Sequence, residues 1–402
     1  MHVYLIAGEE SGDFIGGELI ASLRSKLNDR LTVSGIGGDQ MTCAGLRSLF
    51  PMKELSLMGF VEILPHIFRL KRRIRQTVDN IEQQKPQVVI TIDSPGFNFR
   101  VVRRLRENCI LSCPMVHYVA PTVWAYKPER AKKTAALYDA LLTILPFEPP
   151  YFTAHGLTTY FVGHPSAWFW KQTGDGSGFR ARHQMGADTR VIGMMPGSRS
   201  GELNRHLPIF REVANKLAKQ YPTAQIVMPV RPSCEAMVRE AVAHWSLPVR
   251  LVVGNTEKKD AFAACDVALA KSGTVALEAT LAGIPTVMAY RAHPVTAWLV
   301  RRMIQIPHAH LINIMAKREV IPEFIQERCT ADATYPALAQ LLEDATARTA
   351  QRDAVSPFAA QLGQMATVSP SDQAAQRIMD IVTNPRPDSA GLNHTQTDKA
   401  AS

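Results

Sequence analysis

The sequence of 402 residues lacks several features that mark common protein classes. No run of about 18 uncharged apolar residues occurs, so no segment is predicted to span a membrane. No Walker A sequence and no Gly-x-Gly-x-x-Gly pattern is present, so P-loop ATP hydrolysis and dinucleotide cofactors find no support and we expect no cofactor. The six cysteines are scattered, without a Cys-x-x-Cys pair. Several lie in apolar runs, which predicts buried free thiols in a reducing cytosol.

Metal ligands are equally scarce in the sequence pattern. The chain has no Asp-x-Asp and no His/Cys cluster with metal-ligand spacing, so we expect no bound metal ion. If a nucleotide diphosphate leaves during a reaction, a helix dipole and arginine must stabilise it without a divalent ion.

Positive charge is in excess and locally clustered. The net charge is +9, and an apolar stretch over 57–68 runs directly into a basic cluster. Apolar surface beside arginines suits a protein that sits on an anionic bilayer and admits an acyl chain, whereas the alternative is a buried helix with a solvated basic end. No recognised nucleic-acid motif is present, so we predict no nucleic acid partner. The clustered basic residues are Arg69, Lys71, Arg72, Arg73 and Arg75.

Short β-branched runs alternate with helical patterns along the chain. They show little alternation of apolar and polar residues, which is typical of strands buried on both faces of a parallel sheet. We therefore predict an α/β protein of two doubly wound, Rossmann-like domains that face a central cleft. The predicted strands are 2–7, 31–36, 87–93, 114–118, 141–145, 159–162, 190–195, 225–229, 249–253, 265–270 and 286–290.

The most informative segment follows the strand run that ends at Ala270. Ser272, Gly273 and Thr274 predict a tight turn that presents a helix N-terminus at the carboxyl end of a strand. Bare N–H groups in that position form an anion site suited to a pyrophosphate. Glu278 lies one turn further on the same helix face, where two ribose hydroxyls are within reach. The alternative is that Thr274 caps the helix and Glu278 complements its dipole.

Two other strand ends carry candidate functional residues, because ligands of open α/β sheets bind there. Ser198 and Arg199 follow the strand over 190–195, and a guanidinium offers phosphate oxygens a planar fork of donors. The alternative is a surface loop with an exposed arginine.

Asp93 ends the strand over 87–93 and is the best candidate for a general base. Its carboxylate can accept the proton of a sugar hydroxyl as the new bond forms, when that hydroxyl becomes acidic. The alternative is an Asx-turn, since Asp before Ser-Pro is common turn chemistry. Glu9 and Ser11 follow the first strand, where they either reach a substrate in the cleft or merely cap a helix.

Together these junctions resemble the lipid A disaccharide synthases, inverting glycosyltransferases of the two-domain GT-B type. The order of the motifs is more specific than any single motif, and the match extends from Ala7 to about Asn313. The matching segments are Ala7–Asp13, Met58–Glu62, Ile92–Asn98, Tyr118–Ala125, Leu145–Glu148, Val162–Pro165, Pro196–Arg199 and Lys271–Pro285.

The resemblance implies a reaction between two acylated sugars. UDP-2,3-diacylglucosamine is the implied donor and 2,3-diacylglucosamine 1-phosphate the acceptor, whose 6-hydroxyl attacks the anomeric carbon. The products are the β-1,6-linked lipid A disaccharide 1-phosphate and UDP. Asp93 matches the catalytic carboxylate, Arg199 a phosphate ligand and Glu278 a ribose ligand. Asn313 matches an asparagine near the donor site, and the other predicted substrate-binding residues are Glu9, Ser11, Gly12, Met58, Ser198, Ser272, Gly273 and Thr274.

A Gly-rich linker signal over 173–178 and the resemblance together predict an organisation. Residues 1–172 form an acceptor- and membrane-facing domain, 173–189 a linker and 190–382 the donor domain, whose last helix can pack back on the N-terminal domain. The polar tail over 383–402 is predicted to be disordered. The enzyme would be peripheral on the cytoplasmic face of the inner membrane, with a homodimer as one assembly that we consider.

Three positions depart from the family pattern. Gly96 stands where a second Asp is usual, Tyr126 where Trp is common, and Ile312 where Pro usually precedes the Asn. These departures affect loop geometry and acyl-chain preference more than reaction type. Two alternative functions stay open: a UDP-sugar 2-epimerase or hydrolase of the same fold, and a non-catalytic nucleotide-sugar sensor at the membrane.

Overall fold

The structure is a computed structural model that describes residues 1–56, 63–108, 112–293, 297–298, 303 and 306–384. The chain divides into two compact units. The first is Met1–Pro165 together with the segment from Thr367 onwards, and the second is Ser166–Ala366. Across the described ranges, no helix is both long and apolar enough to cross a bilayer.

A six-stranded sheet forms the centre of the first unit. Its strands are β1 His2–Ala7, β2 Thr32–Ile36, β3 Val88–Ile92, β4 Met115–Tyr118, β5 Ala140–Thr143 and β6 Thr158–Phe161. The spatial order is β2-β1-β3-β4-β5-β6, and every neighbouring pair is parallel. Alternate β1 residues enter different cores, Tyr4 one and Leu5 the other. Both faces are therefore covered, which explains the unbroken apolar runs of the sequence.

Helices of the first unit surround this sheet. The last of them, α17 Pro370–Thr383, buries Ala374, Ala375 and Ile378 in the same core as β1. Its start is set by Ser369, whose hydroxyl accepts a hydrogen bond from the N–H of Asp372. The others are α1 Glu10–Leu27, α2 Asp39–Cys43, α3 Lys53–Ser56, α4 Ile63–Gln84, α5 Pro95–Asn108, α6 Arg130–Ala135 and α7 Pro149–Thr153.

The second unit contains a second parallel sheet. Its strands are β7 Val191–Met195, β8 Gln225–Val230, β9 Val249–Val253, β10 Val267–Lys271, β11 Thr286–Tyr290 and β12 Glu323–Ile325, in the order β12-β11-β10-β7-β8-β9. Every neighbouring pair is again parallel. The helices that begin in or near this unit are α8 Pro165–Phe169, α9 Gly176–Arg182, α10 Ser200–Gln220, α11 Glu235–Val242, α12 Lys258–Ala263, α13 Thr274–Leu281, α14 Leu311–Ala316, α15 Ala331–Glu343 and α16 Ala345–Gln361.

The strand order of each sheet reverses at one place. In the first sheet the reversal falls between β1 and β3, and in the second it falls between β7 and β10. Ligands of open α/β sheets bind beyond the carboxyl ends of strands at such a reversal. The strand ends singled out in the sequence are the ends of these four strands, so both reversals carry candidate residues.

The predicted fold class is confirmed, and every predicted strand is present near its expected position. The short β12 was not predicted because three residues that begin with Glu323 give no apolar run. The segment predicted as a linker contains α9, which Asp175 caps by accepting the N–H of Gly178 at 2.8 Å. The predicted domain boundaries stay a prediction. Most of the predicted disordered tail, 385–402, lies outside the described residues.

Candidate functional site

The corner between β10 and α13 has the geometry expected of an anion site. β10 ends at Lys271 and the helix begins at Thr274. Gly273 is the N-cap residue with φ of +121°, a left-handed conformation that favours glycine, and no side chain caps the helix. The side-chain cap by Thr274 in the alternative interpretation is therefore not formed. The first N–H groups of a helix have no intrahelical partner, so their donors face the end of β10.

The corner between β7 and α10 lies beside the first one, because β7 and β10 are paired, with Met195 opposite Ala270. Gly197 has φ of +135°, and a Cβ on it would stand 2.7 Å from the Cβ of Glu202. The chain thus needs glycine here to bring Ser198 and Arg199 to the start of α10.

An ion pair joins these two corners. The ammonium of Lys271 lies 2.9 Å from Oε1 of Glu202, and the N–H of Ser198 donates to Oε2 of the same carboxylate at 3.1 Å. Burial acts to raise the pKa of Glu202, but the lysine and the N–H outweigh it and hold that pKa below its usual range. The structure therefore brings the Ser198–Arg199 loop and the turn over 272–274 together.

Glu278 lies one turn into α13 and forms an ion pair of its own. Its Oε2 accepts from Nζ of Lys258 at 2.8 Å, and both side chains are mostly buried. The same ammonium lies 6.0 Å from the ring centroid of Trp170 and 5.8 Å from that of Phe262. A ribose would have to share the carboxylate with Lys258 or displace it, so the ribose-binding role stays a prediction.

The reversal in the first unit carries an acid instead of an arginine. Asp93 and Ser94 follow β3 with φ of +50° and +45°, two consecutive left-handed residues that are not glycine. Asn98 stabilises this turn, since its Nδ2 donates to the carbonyl of Asp93 at 2.7 Å and to that of Ile92 at 3.2 Å. Strained backbone held by neighbouring groups is typical of functional sites.

The loop between β1 and α1 packs directly on the Asp93 turn. A Cβ on Gly8 would stand 2.6 Å from Oγ of Ser94, and one on Gly12 would stand 3.3 Å from the carbonyl oxygen of Ile92. The Ser11 side chain acts on the Asp93 carboxylate, since it lowers the pKa of that acid. Glu9 is the N-cap residue of α1, but its side chain does not cap the helix. The predicted residues Glu9, Ser11, Gly12 and Asp93 are thus brought together.

Burial raises the pKa of Asp93, and hydrogen bonds from the Ser94 N–H and the Ser11 hydroxyl oppose that shift. Asp93 as a whole residue is partly buried. An acid whose pKa moves toward neutrality is a better proton acceptor, which agrees with the predicted role.

Asn313 differs from the other candidates because its amide is used inside the protein. It is fully buried, donates to the carbonyl of Ile321 and to Glu323, both at 2.7 Å, and accepts from the N–H groups of Val320 and Ile321. Glu323 also accepts from the N–H groups of residues 309 and 310. These contacts support a role in shaping the loop rather than in touching a ligand. Met58 lies outside the described residues.

Sequence reasoning missed several residues of these corners. The available signal was position in or near a motif. Asn98 and Lys271 lie in matching segments, and Glu202 lies three residues after Arg199. Lys258 and Glu323 carry no local signal, since only folding brings them to Glu278 and Asn313.

Glu148 was also unassigned, although it lies in a matching segment. It is buried and accepts from Nε1 of Trp124 at 3.2 Å and from the N–H of Leu145 at 3.1 Å. Burial raises its pKa to about 8, against these hydrogen bonds.

The basic cluster is mostly a solvent-exposed face of α4. Leu70, Ile74 and Val78 turn into the core, whereas Phe68 is 81% exposed. Arg73 differs from the rest, because it pairs with Glu54 at 2.6 Å. The exposed basic side chains are Arg69, Lys71, Arg72 and Arg75. Within the described part of the chain, no group of three His, Cys, Asp or Glu side chains is placed to hold a metal ion.

Solved structures of other proteins have the same fold. UDP-GlcNAc 2-epimerase from Neisseria meningitidis has a TM-score of 0.60 and 14% identity, covering 95% of this chain and all of its own. The calicheamicin glycosyltransferase has a TM-score of 0.56 and 14% identity, covering 96% of this chain and 99% of its own. At this identity the likeness is one of fold. The class is the two-domain α/β GT-B architecture that glycosyltransferases share with epimerases.

Sequence comparison identifies the family within this class. The family model described as lipid-A-disaccharide synthetase matches residues 3–378. The lipid-A-disaccharide synthase of Rhodospirillum centenum is 45% identical over 381 residues, which cover 95% of this chain and 94% of the relative. The chain belongs to the lipid-A-disaccharide synthetase family and is a glycosyltransferase of lipid A disaccharide formation. The predicted family and reaction class are confirmed, and neither alternative function is favoured.

Proposed function

We propose that this enzyme transfers 2,3-diacylglucosamine from UDP to the 6-hydroxyl of 2,3-diacylglucosamine 1-phosphate. The family match over residues 3–378 is the observation that carries the proposal. The polar corners at both strand-order reversals support it, because one offers donors to a diphosphate and the other offers a proton acceptor. The products are the β-1,6-linked disaccharide 1-phosphate and UDP.

The second unit holds the donor in this proposal. The N–H groups at the start of α13 and the guanidinium of Arg199 bind the diphosphate, and Ser198, Ser272, Gly273 and Thr274 line its site. Helix N-termini and arginine are the usual ligands of phosphate oxygens. As the anomeric C–O bond breaks, the negative charge that develops on UDP is stabilised by these donors.

The first unit supplies the base. Asp93 takes the proton of the acceptor hydroxyl while its oxygen forms the bond to the anomeric carbon and UDP departs from the opposite face. This single displacement inverts the anomeric configuration. Ser11 orients the carboxylate, and Glu9, Gly12 and Met58 are proposed contacts of the acceptor. Residues 1–172 as the acceptor domain and 190–382 as the donor domain stay predictions.

We also propose that the exposed face of α4 docks on the cytoplasmic surface of the inner membrane. Phe68 projects into solvent beside arginine and lysine side chains, and this combination favours anionic lipid headgroups. Replacing Phe68 by Ser should release the protein from anionic vesicles in a flotation assay, with Tyr151→Ser, an exposed aromatic on α7, as control. Unchanged flotation would reject this face as the anchor. A homodimer stays a prediction.

The function is tested by product analysis of the purified chain. With UDP-2,3-diacylglucosamine and the acceptor lipid, mass spectrometry should detect the disaccharide 1-phosphate and equimolar UDP. Without the acceptor, the donor should stay intact. Epimerised or hydrolysed donor in that second reaction would favour the alternative enzyme, and UDP binding without any turnover would favour the sensor.

A further inference from the structure

The proposed diphosphate site contains a carboxylate, which is unexpected. Glu202 lies in the first turn of α10, three residues after Arg199, and its side chain is only 13% exposed. A negative charge in this position repels a diphosphate unless another group compensates it. The identity of that compensating group rests on the proposed function.

Glu202 has a structural role, because it holds the loop that presents Arg199. Its Oε2 accepts the N–H of Ser198 at 3.1 Å. The left-handed Gly197 lets the backbone pass close to the same side chain. Only a side chain with an acceptor oxygen in this position can accept the hydrogen bond from the Ser198 N–H. Glutamate supplies that oxygen but adds a negative charge.

Lys271 is placed to neutralise the Glu202 carboxylate, and its ammonium lies beside both corners. Its Nζ lies 2.9 Å from Oε1 of Glu202, with 16% of the side chain exposed. It also lies 3.3 Å from where a Cβ on Gly273 would stand, so the ammonium is adjacent to the turn that precedes α13. A side chain on Gly273 would meet the lysine as well as adopt a strained backbone.

We propose that Lys271 is a positioning residue that neutralises Glu202, so that Glu202 can hold the Ser198–Arg199 loop without repelling a nucleoside diphosphate. Lys271 acts through Glu202 and is not itself a ligand of the phosphates. A lysine that bound phosphate directly would contribute whether or not Glu202 carried a charge. The two roles therefore differ in how the two substitutions combine.

The experiment is a double-mutant cycle on the full chain, with UDP as the probe and its Kd measured by isothermal titration calorimetry. Lys271→Met should raise the Kd at least about tenfold, because it removes the ion-pair partner of the Glu202 carboxylate near the diphosphate. Glu202→Gln keeps an acceptor oxygen for Ser198 and should stay within about threefold of wild type. The double variant should recover more than half of the loss in log Kd. Recovery of less than half overturns the proposal and makes Lys271 a direct phosphate ligand.

Two controls keep the result interpretable. Lys216→Met removes another lysine ion pair, to Asp332 at 2.8 Å, from the opposite end of α10 and should leave the Kd unchanged. Lys271→Arg keeps the charge and should bind UDP as wild type does. If Lys271→Met does not fold, Lys271→Gln takes its place in the same cycle, and the same recovery in log Kd on adding Glu202→Gln decides between the two roles. Failure of the wild-type chain to bind UDP would instead reject the proposed function.

Discussion

The two units have the same kind of strand-to-helix corner at the same topological place, but the acids at these corners have pKa values shifted in opposite directions. At the reversal of the first sheet, burial raises the pKa of Asp93. At the reversal of the second sheet, the Lys271 ammonium helps to hold the pKa of Glu202 below its usual range, against burial. Parallel strands and their reversal create the location in both units. The neighbouring side chains then decide whether an acid accepts a proton or stays ionised as part of a binding site.

The largest effect should come from Asp93→Asn. The amide cannot accept the proton of the acceptor hydroxyl, so kcat should fall by about 10²- to 10⁴-fold, the usual contribution of a positioned base. The Kd for UDP should not change, because Asp93 belongs to the first unit. Steady-state kinetics and calorimetry on one preparation measure both quantities. Asp29→Asn, an exposed acid of the same unit, serves as control, and wild-type turnover in Asp93→Asn would remove Asp93 from its role.

Arg199→Ala should instead change the affinity for UDP. The loss of charge-assisted hydrogen bonds to the diphosphate should weaken UDP binding by about 1.5–3 kcal/mol, or more than tenfold. Arg211→Ala, an exposed arginine of the same helix α10, should leave the Kd as it is. If UDP affinity in Arg199→Ala equals that of wild type, the assignment of this corner to the donor is wrong.

Asn98→Ala tests whether the backbone conformation of the Asp93 turn affects kcat while the Asp93 carboxylate itself is kept. Without the donor to the carbonyl of Asp93, the left-handed turn loses its support, and kcat should fall about 10- to 100-fold through misplacement of the carboxylate. The Kd for UDP should stay constant. Circular dichroism and thermal melting check that the variant is folded, and undiminished kcat would show that the rest of the turn suffices.

The last prediction concerns stability rather than binding or turnover. Because the pKa of Glu148 is raised to about 8 from 4.5, the folded protein retains a proton that the unfolded chain releases between these values. The free energy of unfolding should therefore fall by up to a few kcal/mol as pH rises from 4.5 through 8. Urea unfolding over this range measures the slope. In Glu148→Gln the slope should flatten, and an equal slope in that variant would mean that another group causes it.

Much of the fold could be predicted because it depends on local pattern. The apolar runs of β1 and β3 indicated strands buried on both faces, and the glycine-containing turn after β10 indicated a helix N-terminus. β12 escaped prediction because it is short and begins with Glu323, whose burial depends on donors from 309–313. Local pattern carries no information about partners that are distant in the chain.

The same contrast between local pattern and distant partners explains which candidate site residues could be predicted and which could not. Asp93, Arg199 and Thr274 could be proposed because each follows a predicted strand, and parallel strands end at one edge of a sheet. The partners Lys258 and Glu323 could not be proposed, since Lys258 lies 20 residues from Glu278 and Glu323 lies 10 residues from Asn313 in the chain.

The α/β class, the position of the strand ends and, through the order of the motifs, the family could all be inferred from the amino-acid sequence alone. Which charges meet depends on the folded chain: the Glu202–Lys271 pair spans 69 residues and forms because β10 lies beside β7 in the sheet. Hydrophobic periodicity is a local property that a sequence displays directly. Electrostatic partnership depends on distances of a few ångströms, which exist only after the chain has folded.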